Sequence, residues 1–178
     1  MADYFSFKAF GPDDRVQVVI ETPRGARAKF KLDMEIGAFR YSRPLALGLS
    51  YPFDWGFIPS TCGEDGDPLD GIVLHDAASY PGVVIPCNPL GVLQVAQTEE
   101  GTTRRNDRYV FKPIKSPLKD VLDEVEELPS KIRNELEQFF RAAVLGTGKT
   151  LDYLGWKDAA TALKGLRDGA ERFAQGKR

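Results

Sequence analysis

Val16-Gln17-Val18-Val19-Ile20-Glu21-Thr22, a turn through Pro23-Arg24-Gly25, and then Ala28-Lys29-Phe30-Lys31-Leu32-Asp33 form the stretch that decides the fold. In the first limb Val16, Val18 and Ile20 alternate with Gln17, Val19 and Glu21, the two-residue period of a strand. The second limb alternates again, with Lys29 and Lys31 on one face and Phe30 and Leu32 on the other. Two amines therefore project together from a predicted strand.

Working outward, short apolar runs at 71–74, 83–85, 91–95 and 109–111 are separated by Gly, Pro and Asn, so they read as further strands. Many short strands favour a barrel. Past Leu128 the period changes. Pro129 suits a first helical turn, and Ile132, Leu136, Phe139, Phe140 and Ala143 recur at helical spacing. A second helix is predicted after Trp156, with Ala159, Leu163, Leu166, Ala170 and Phe173 as its stripe, weakened by Gly165 and Gly169. The expected fold is α+β and mainly β: one domain over 1–178, a small closed OB-like β-barrel with two C-terminal helices packed on it.

The 178 residues are 42% hydrophobic and 28% charged with a net charge of -2, enough for a core and without the basic excess of a nucleic-acid binder. Cys62 and Cys87 lack C-x-x-C spacing and read as reduced thiols. Met1-Ala2-Asp3-Tyr4-Phe5 shows no basic-then-apolar leader, and no stretch has the length to cross a bilayer, so the sequence predicts a cytoplasmic protein with no membrane partner.

The densest chemistry is Glu64-Asp65-Gly66-Asp67-Pro68-Leu69-Asp70. Alone it reads as a solvated turn, since Asp, Gly and Pro are turn residues. Four carboxylates in seven positions also attract a hard cation such as Mg2+, which takes oxygen ligands and keeps waters. Leu69 stands where an EF-hand loop needs an oxygen, which excludes that motif.

Together with Tyr51-Pro52-Phe53-Asp54-Trp55-Gly56-Phe57-Ile58-Pro59, this loop resembles the Y-P-x-N-Y-G … D-G-D-P-x-D signature of family I inorganic pyrophosphatases. The resemblance extends to the acidic strand at Glu21, to Lys29, Arg43, Pro89-Leu90-Gly91-Val92-Leu93, Phe139-Phe140 and Gly155-Trp156. It implies Mg2+-dependent hydrolysis of pyrophosphate, with Mn2+ as a substitute, and a homo-oligomer, a hexamer in bacterial members. It implies Asp65 and Asp70 as metal ligands, Asp67 orienting or deprotonating water, Glu21 at the metal-rich rim, and Lys29, Arg43, Tyr51 and Arg108 on phosphate. The bland alternatives are an outward strand residue for Glu21, surface pairs for Lys29 and Arg43, and a core tyrosine for Tyr51.

Several positions depart from the pattern. Gln97 stands where an acidic ligand is expected, and Asn106 where the best register places an aspartate, although a shift of one residue would substitute Asp107. Lys31 stands at a glutamate, Trp55 at a tyrosine, and Ala143 and Val144 at a tyrosine-lysine pair, while Asp54 replaces an asparagine and could return one negative charge. The site is thereby more positive by about +3, large when two charges at ~4 Å interact by roughly 4 kcal/mol at an effective dielectric of about 20. Fewer bound cations are expected. Alternatives are hydrolysis of another polyphosphate or a nucleotide, or a weakly active or inactive phosphate- or metal-binding homologue. Gly146-Thr147-Gly148-Lys149-Thr150 imitates a P-loop, but it lacks the first glycine and follows a predicted helix. His75, the only histidine, reads as a strand-end residue, and Tyr51, Trp55 and Phe57 as core.

Overall fold

A computed structural model describes residues 4, 6–33, 35–75, 77–116 and 122–176; the leader reading of residues 1–5 falls mostly outside them. In chain order the elements are β1 (Val16–Thr22), β2 (Ala28–Asp33), β3 (Ala38–Pro44), β4 (Asp54–Phe57), β5 (Asp70–Val73), β6 (Val84–Glu99), β7 (Thr102–Arg105), β8 (Arg108–Pro113), α1 (Ser130–Ala143), β9 (Lys149–Lys157) and α2 (Ala159–Ala174).

Five strands close into a ring. β1 runs antiparallel to β4, β4 to β5, β5 lies parallel to β8, and β8 is antiparallel to β6. β6 then returns to β1, with Val18 opposite Ile85. Closure of this OB-like ring removes the unpaired edges that an open sheet would present. The runs at 83–85 and 91–95 are parts of one 16-residue strand, β6, which continues past the ring to pair β9 and β7. Prolines 86 and 89 do not break it; the register against β8 shifts between Pro89 and Gly91 instead.

Both faces of the ring are covered, which explains the near-continuous apolar runs. Trp55, Ile72, Leu93 and Val110 belong to the core with Leu136, Phe139 and Phe140 of α1. Their neighbours Val73, Val92, Tyr109 and Phe111 face the opposite way and pack with Ala162 and Leu166 of α2.

Helix α2 keeps Leu166 and Ala170 of the predicted stripe against the core, but Ala162 and Gly169 are buried beside them, whereas Ala159 and Leu163 are partly exposed. A Cβ at Gly169 would lie 2.6 Å from Leu69 Cδ1. The glycine is there for close approach, and it presses α2 against the acidic loop. Residues 146–150 run from the end of α1 through a turn into β9, the reverse of P-loop order. Among the described residues, no helix is long and apolar enough to cross a membrane.

Candidate active site

The acidic loop is held at its base before it reaches the site. Thr61 Oγ1 donates to Ile58 O (2.6 Å) and accepts from Leu69 N (3.0 Å), while Gly63 N donates to Asp67 O (2.8 Å). Gly66 takes φ of 87°, a left-handed conformation that glycine tolerates without steric cost. Asp67 N donates to Asp65 Oδ1 (3.1 Å), which bends the loop locally. From α2, Gly169 O accepts from Cys62 N (3.0 Å) and Arg172 Nε donates to Cys62 O (2.8 Å). The loop so braced lines a cleft of about 720 Å3 with Asp65, Asp67 and Asp70.

The facing wall comes from the β2–β3 hairpin, which is docked on β1 by polar contacts. Thr22 Oγ1 exchanges hydrogen bonds with Phe30 (3.0 and 3.1 Å), and Glu21 Oε1 accepts from Leu32 N (2.8 Å). The hairpin brings Lys29, Lys31 and Arg43 to the cleft, joined by Arg108 from β8, Gln97 from β6, and Glu21 at the back.

Each carboxylate of the loop that lines the cleft has a partner from this chain. Lys31 Nζ lies 2.8 Å from Asp67 Oδ2, with both side chains more than half exposed, and Arg108 Nη1 lies 2.6 Å from Asp70 Oδ2 in a mostly buried pair. Asn106 Nδ2 donates to Asp65 Oδ2 (2.9 Å) and to Gln97 Oε1 (3.4 Å). Arg108 in turn donates to Asn106 Oδ1 and, from Nη2, to Gln97 Oε1 (3.3 Å). The amide of Asn106 therefore donates to one side and accepts from the other, which a carboxylate could not do.

Burial sets the electrostatics. It raises Glu21 to about 7, against the Leu32 N–H and the charge of Lys29. Burial also lowers Lys29, opposed by Asp70 and Glu21, and raises Asp65, to which the charge of Asp70 adds. For Lys31 burial is outweighed by the hydrogen bond and charge of Asp67, so its pKa is raised.

Tyr51 lies apart from the open cleft. It lines a small inner recess of about 40 Å3 with Trp55, Lys29, Arg43 and Arg108, buried against Phe139, and burial drives its hydroxyl pKa upward. Lys29 and Arg108 both sit over the Trp55 ring, at 5.9 and 5.3 Å from its centroid. Arg43 reaches from β3 to donate to Ala143 O (2.5 Å).

Two sequence alternatives are resolved by position. Asp54 adds no charge to the cleft: it is buried elsewhere, accepting from Arg24 N (2.6 Å), His75 Nε2 (2.8 Å) and Ser79 N (3.1 Å). Asp107 accepts from Val95 N (2.9 Å) and pairs with Arg105, so Asn106 faces the cleft instead. Sequence reading missed the rim formed by Glu99, Arg104, Thr147 and Lys149, where Lys149 pairs with Glu99 at 2.9 Å. The glycine-flanked Thr147 and Lys149 were the available signal.

Among the described residues, no three acidic, histidine or cysteine side chains gather closely enough to hold a metal by themselves. The donor set nevertheless fits a hard cation that completes its shell elsewhere. Asp65 is destabilised as an anion by burial and by Asp70, and Mg2+ commonly uses one or two carboxylates with waters and substrate phosphates.

A closed OB-like strand ring, with a braced carboxylate loop facing lysines and arginines across one cleft, defines a class of small β-ring proteins with a mixed-charge, anion-receiving site. The family model described as inorganic pyrophosphatase matches residues 18–174, and the chain belongs to that family. An inorganic pyrophosphatase of Leifsonia xyli is 38% identical over 161 residues, covering 89% of this chain and 96% of the relative. One of Synechocystis is 34% identical over 148 residues, 83% of this chain and 85% of the relative. The crystal structure of inorganic pyrophosphatase from Thermus thermophilus superposes with a TM-score of 0.88 at 31% identity, covering 97% of this chain and 99% of the other.

Proposed function

We propose that the chain hydrolyses inorganic pyrophosphate to two phosphates. The observation that carries this reading is the single cleft in which Asp65, Asp67 and Asp70 face Lys29, Lys31 and Arg108. Lys29, Arg43 and Arg108 hold the phosphoryl oxygens, and Tyr51 lies in the recess behind them. Asp67 accepts a proton from the attacking water; the water oxygen bonds to phosphorus while the bridging P–O bond breaks and the leaving phosphate carries away the electron pair. The cationic wall stabilises that developing charge.

Mg2+, with Mn2+ as substitute, is the proposed cofactor, held by Asp65 and Asp70 with Glu21 and Asp67 nearby. When bound, it neutralises phosphoryl charge and acidifies water. The proposed setting is the cytoplasm, from the sequence reading, and the proposed assembly a homohexamer, on family resemblance alone. Phosphate release from pyrophosphate, tripolyphosphate and nucleotides, with and without Mg2+, tests the reading. No release from pyrophosphate at any Mg2+ concentration would overturn it. A preference for tripolyphosphate is the second outcome to watch, because the cleft is of drug-ligand size (about 300–1,000 Å3) and carries Arg104 and Lys149 at its rim.

A further inference from the structure

The cations of the cleft differ in how firmly they are held. Arg108 is fixed in a mostly buried pair with Asp70 and by Asn106 and Gln97. Lys29 lies packed over Trp55. Lys31 alone of these three is more than half exposed, and among the described residues its one carboxylate partner at salt-bridge distance is Asp67, itself 60% exposed. Exposed pairs are weak and easily exchanged. An ammonium on a flexible four-carbon stem can therefore move from one anion to another in the same cleft, which a guanidinium locked between three partners cannot.

We propose that Lys31 is a tethered counter-cation for this site. It neutralises Asp67 in the free protein and passes to a phosphoryl oxygen of the bound substrate, which bares the Asp67 carboxylate as that substrate arrives. The inference rests on the pyrophosphate reading of the cleft. It makes Lys31 a substrate-binding residue that also releases Asp67, and it predicts that the substrate complex assembles with fewer divalent ions than the number of carboxylates suggests. The neutral amides agree with this. Gln97 and Asn106 satisfy Arg108 and Asp65 by hydrogen bonds and add no negative charge for a further cation to balance.

The test uses the full chain with Mn2+ and the non-hydrolysable analogue imidodiphosphate. Equilibrium dialysis with saturating analogue counts Mn2+ per chain. Lys31→Glu should carry one Mn2+ more than the unmodified protein, and Lys31→Arg the same number as it. In EDTA, titration calorimetry should show imidodiphosphate binding to the unmodified chain, weakened about tenfold or more by Lys31→Gln and largely kept by Lys31→Arg. Because the Lys31 side chain is exposed, neutral Lys31→Gln keeps the question answerable if Lys31→Glu does not fold. Equal Mn2+ counts in unmodified and Lys31→Glu proteins, or metal-free affinity unmoved by Lys31→Gln, would overturn the proposal. Failure of the pyrophosphate reading looks different: no phosphate release from pyrophosphate by the unmodified chain, whatever the Mn2+ count.

Discussion

Asp67 and Glu21 occupy opposite environments, and each supports a prediction. Asp67 is exposed at the cleft mouth and Glu21 is 5% exposed behind it. With Asp67 as proton acceptor, Asp67→Asn should lower kcat roughly 100-fold or more while leaving affinity for pyrophosphate within a few-fold; steady-state kinetics showing full turnover would remove Asp67 from the chemistry. For Glu21 the folded pKa of about 7 lies above the unfolded value of 4.5. Between these values the folded state holds a proton that the unfolded state has lost, so stability falls as pH rises through the window and levels above it. The loss is on the order of 3 kcal/mol. Glu21→Gln keeps an acceptor for Leu32 N–H and removes the titration. Urea unfolding at pH 5 and pH 8 in metal-free buffer should show the variant losing less stability than the unmodified chain. Parallel losses would place the pH dependence elsewhere.

At the scale of elements, legibility in the sequence followed the reach of local physics. The β1–β2 limb, the acidic loop and α1 are written in periods and punctuation that act over a few residues. Strand β6 was read as two pieces because prolines 86 and 89 look like stops, and only its pairing with β1 and β8 shows why the strand survives them. The stripe of α2 was read only in part: Leu166 and Ala170 pack as expected, but Ala162 was missed, as was the close contact at Gly169, because a glycine carries no apolar signal. Asn106 was left in competition with Asp107 because register depends on Val95 N–H, twelve residues away, which claims Asp107. Gly169 gives the element-scale prediction. Gly169→Ala should gain roughly 1 kcal/mol of helix propensity, yet overpacking against Leu69 costs about 1–3 kcal/mol. The net expectation is a lower melting temperature by a few degrees, together with weaker pyrophosphate binding, because α2 braces the loop through Cys62 and Leu69. A variant more stable than the parent and with unchanged KM would show that the loop is positioned independently of α2.

Across the whole molecule, the site's balance of charge connects fold stability to metal binding. The cleft pairs its own acids and bases, so the free protein has little unbalanced negative charge for a cation to relieve. Replacing Gln97 and Asn106 by Asp and Lys31 by Glu reverses that condition: each amide adds one negative charge, and the lysine exchange adds two. Asn106→Asp also removes the donor to Asp65 and sets two carboxylates against each other. In metal-free buffer the triple variant should therefore melt below the unmodified chain, since like charges within a few ångströms repel and a partly buried cleft screens them poorly. Ion binding to the folded state stabilises it by RT ln(1 + [L]/Kd), so a site with new or tighter ions gains more from the same Mg2+. At Mg2+ about 100 times above Kd each such ion contributes roughly 2.7 kcal/mol. The measurement is calorimetric melting of both proteins across a Mg2+ titration. The triple variant should start lower, rise more steeply and release phosphate from pyrophosphate faster at saturation, whereas the double Asp variant that keeps Lys31 should rise less. Melting curves of the unmodified chain that rise with Mg2+ as steeply as those of the triple variant would mean that it already binds as many ions, and that the pairs Lys31–Asp67 and Arg108–Asp70 open at little cost when metal arrives.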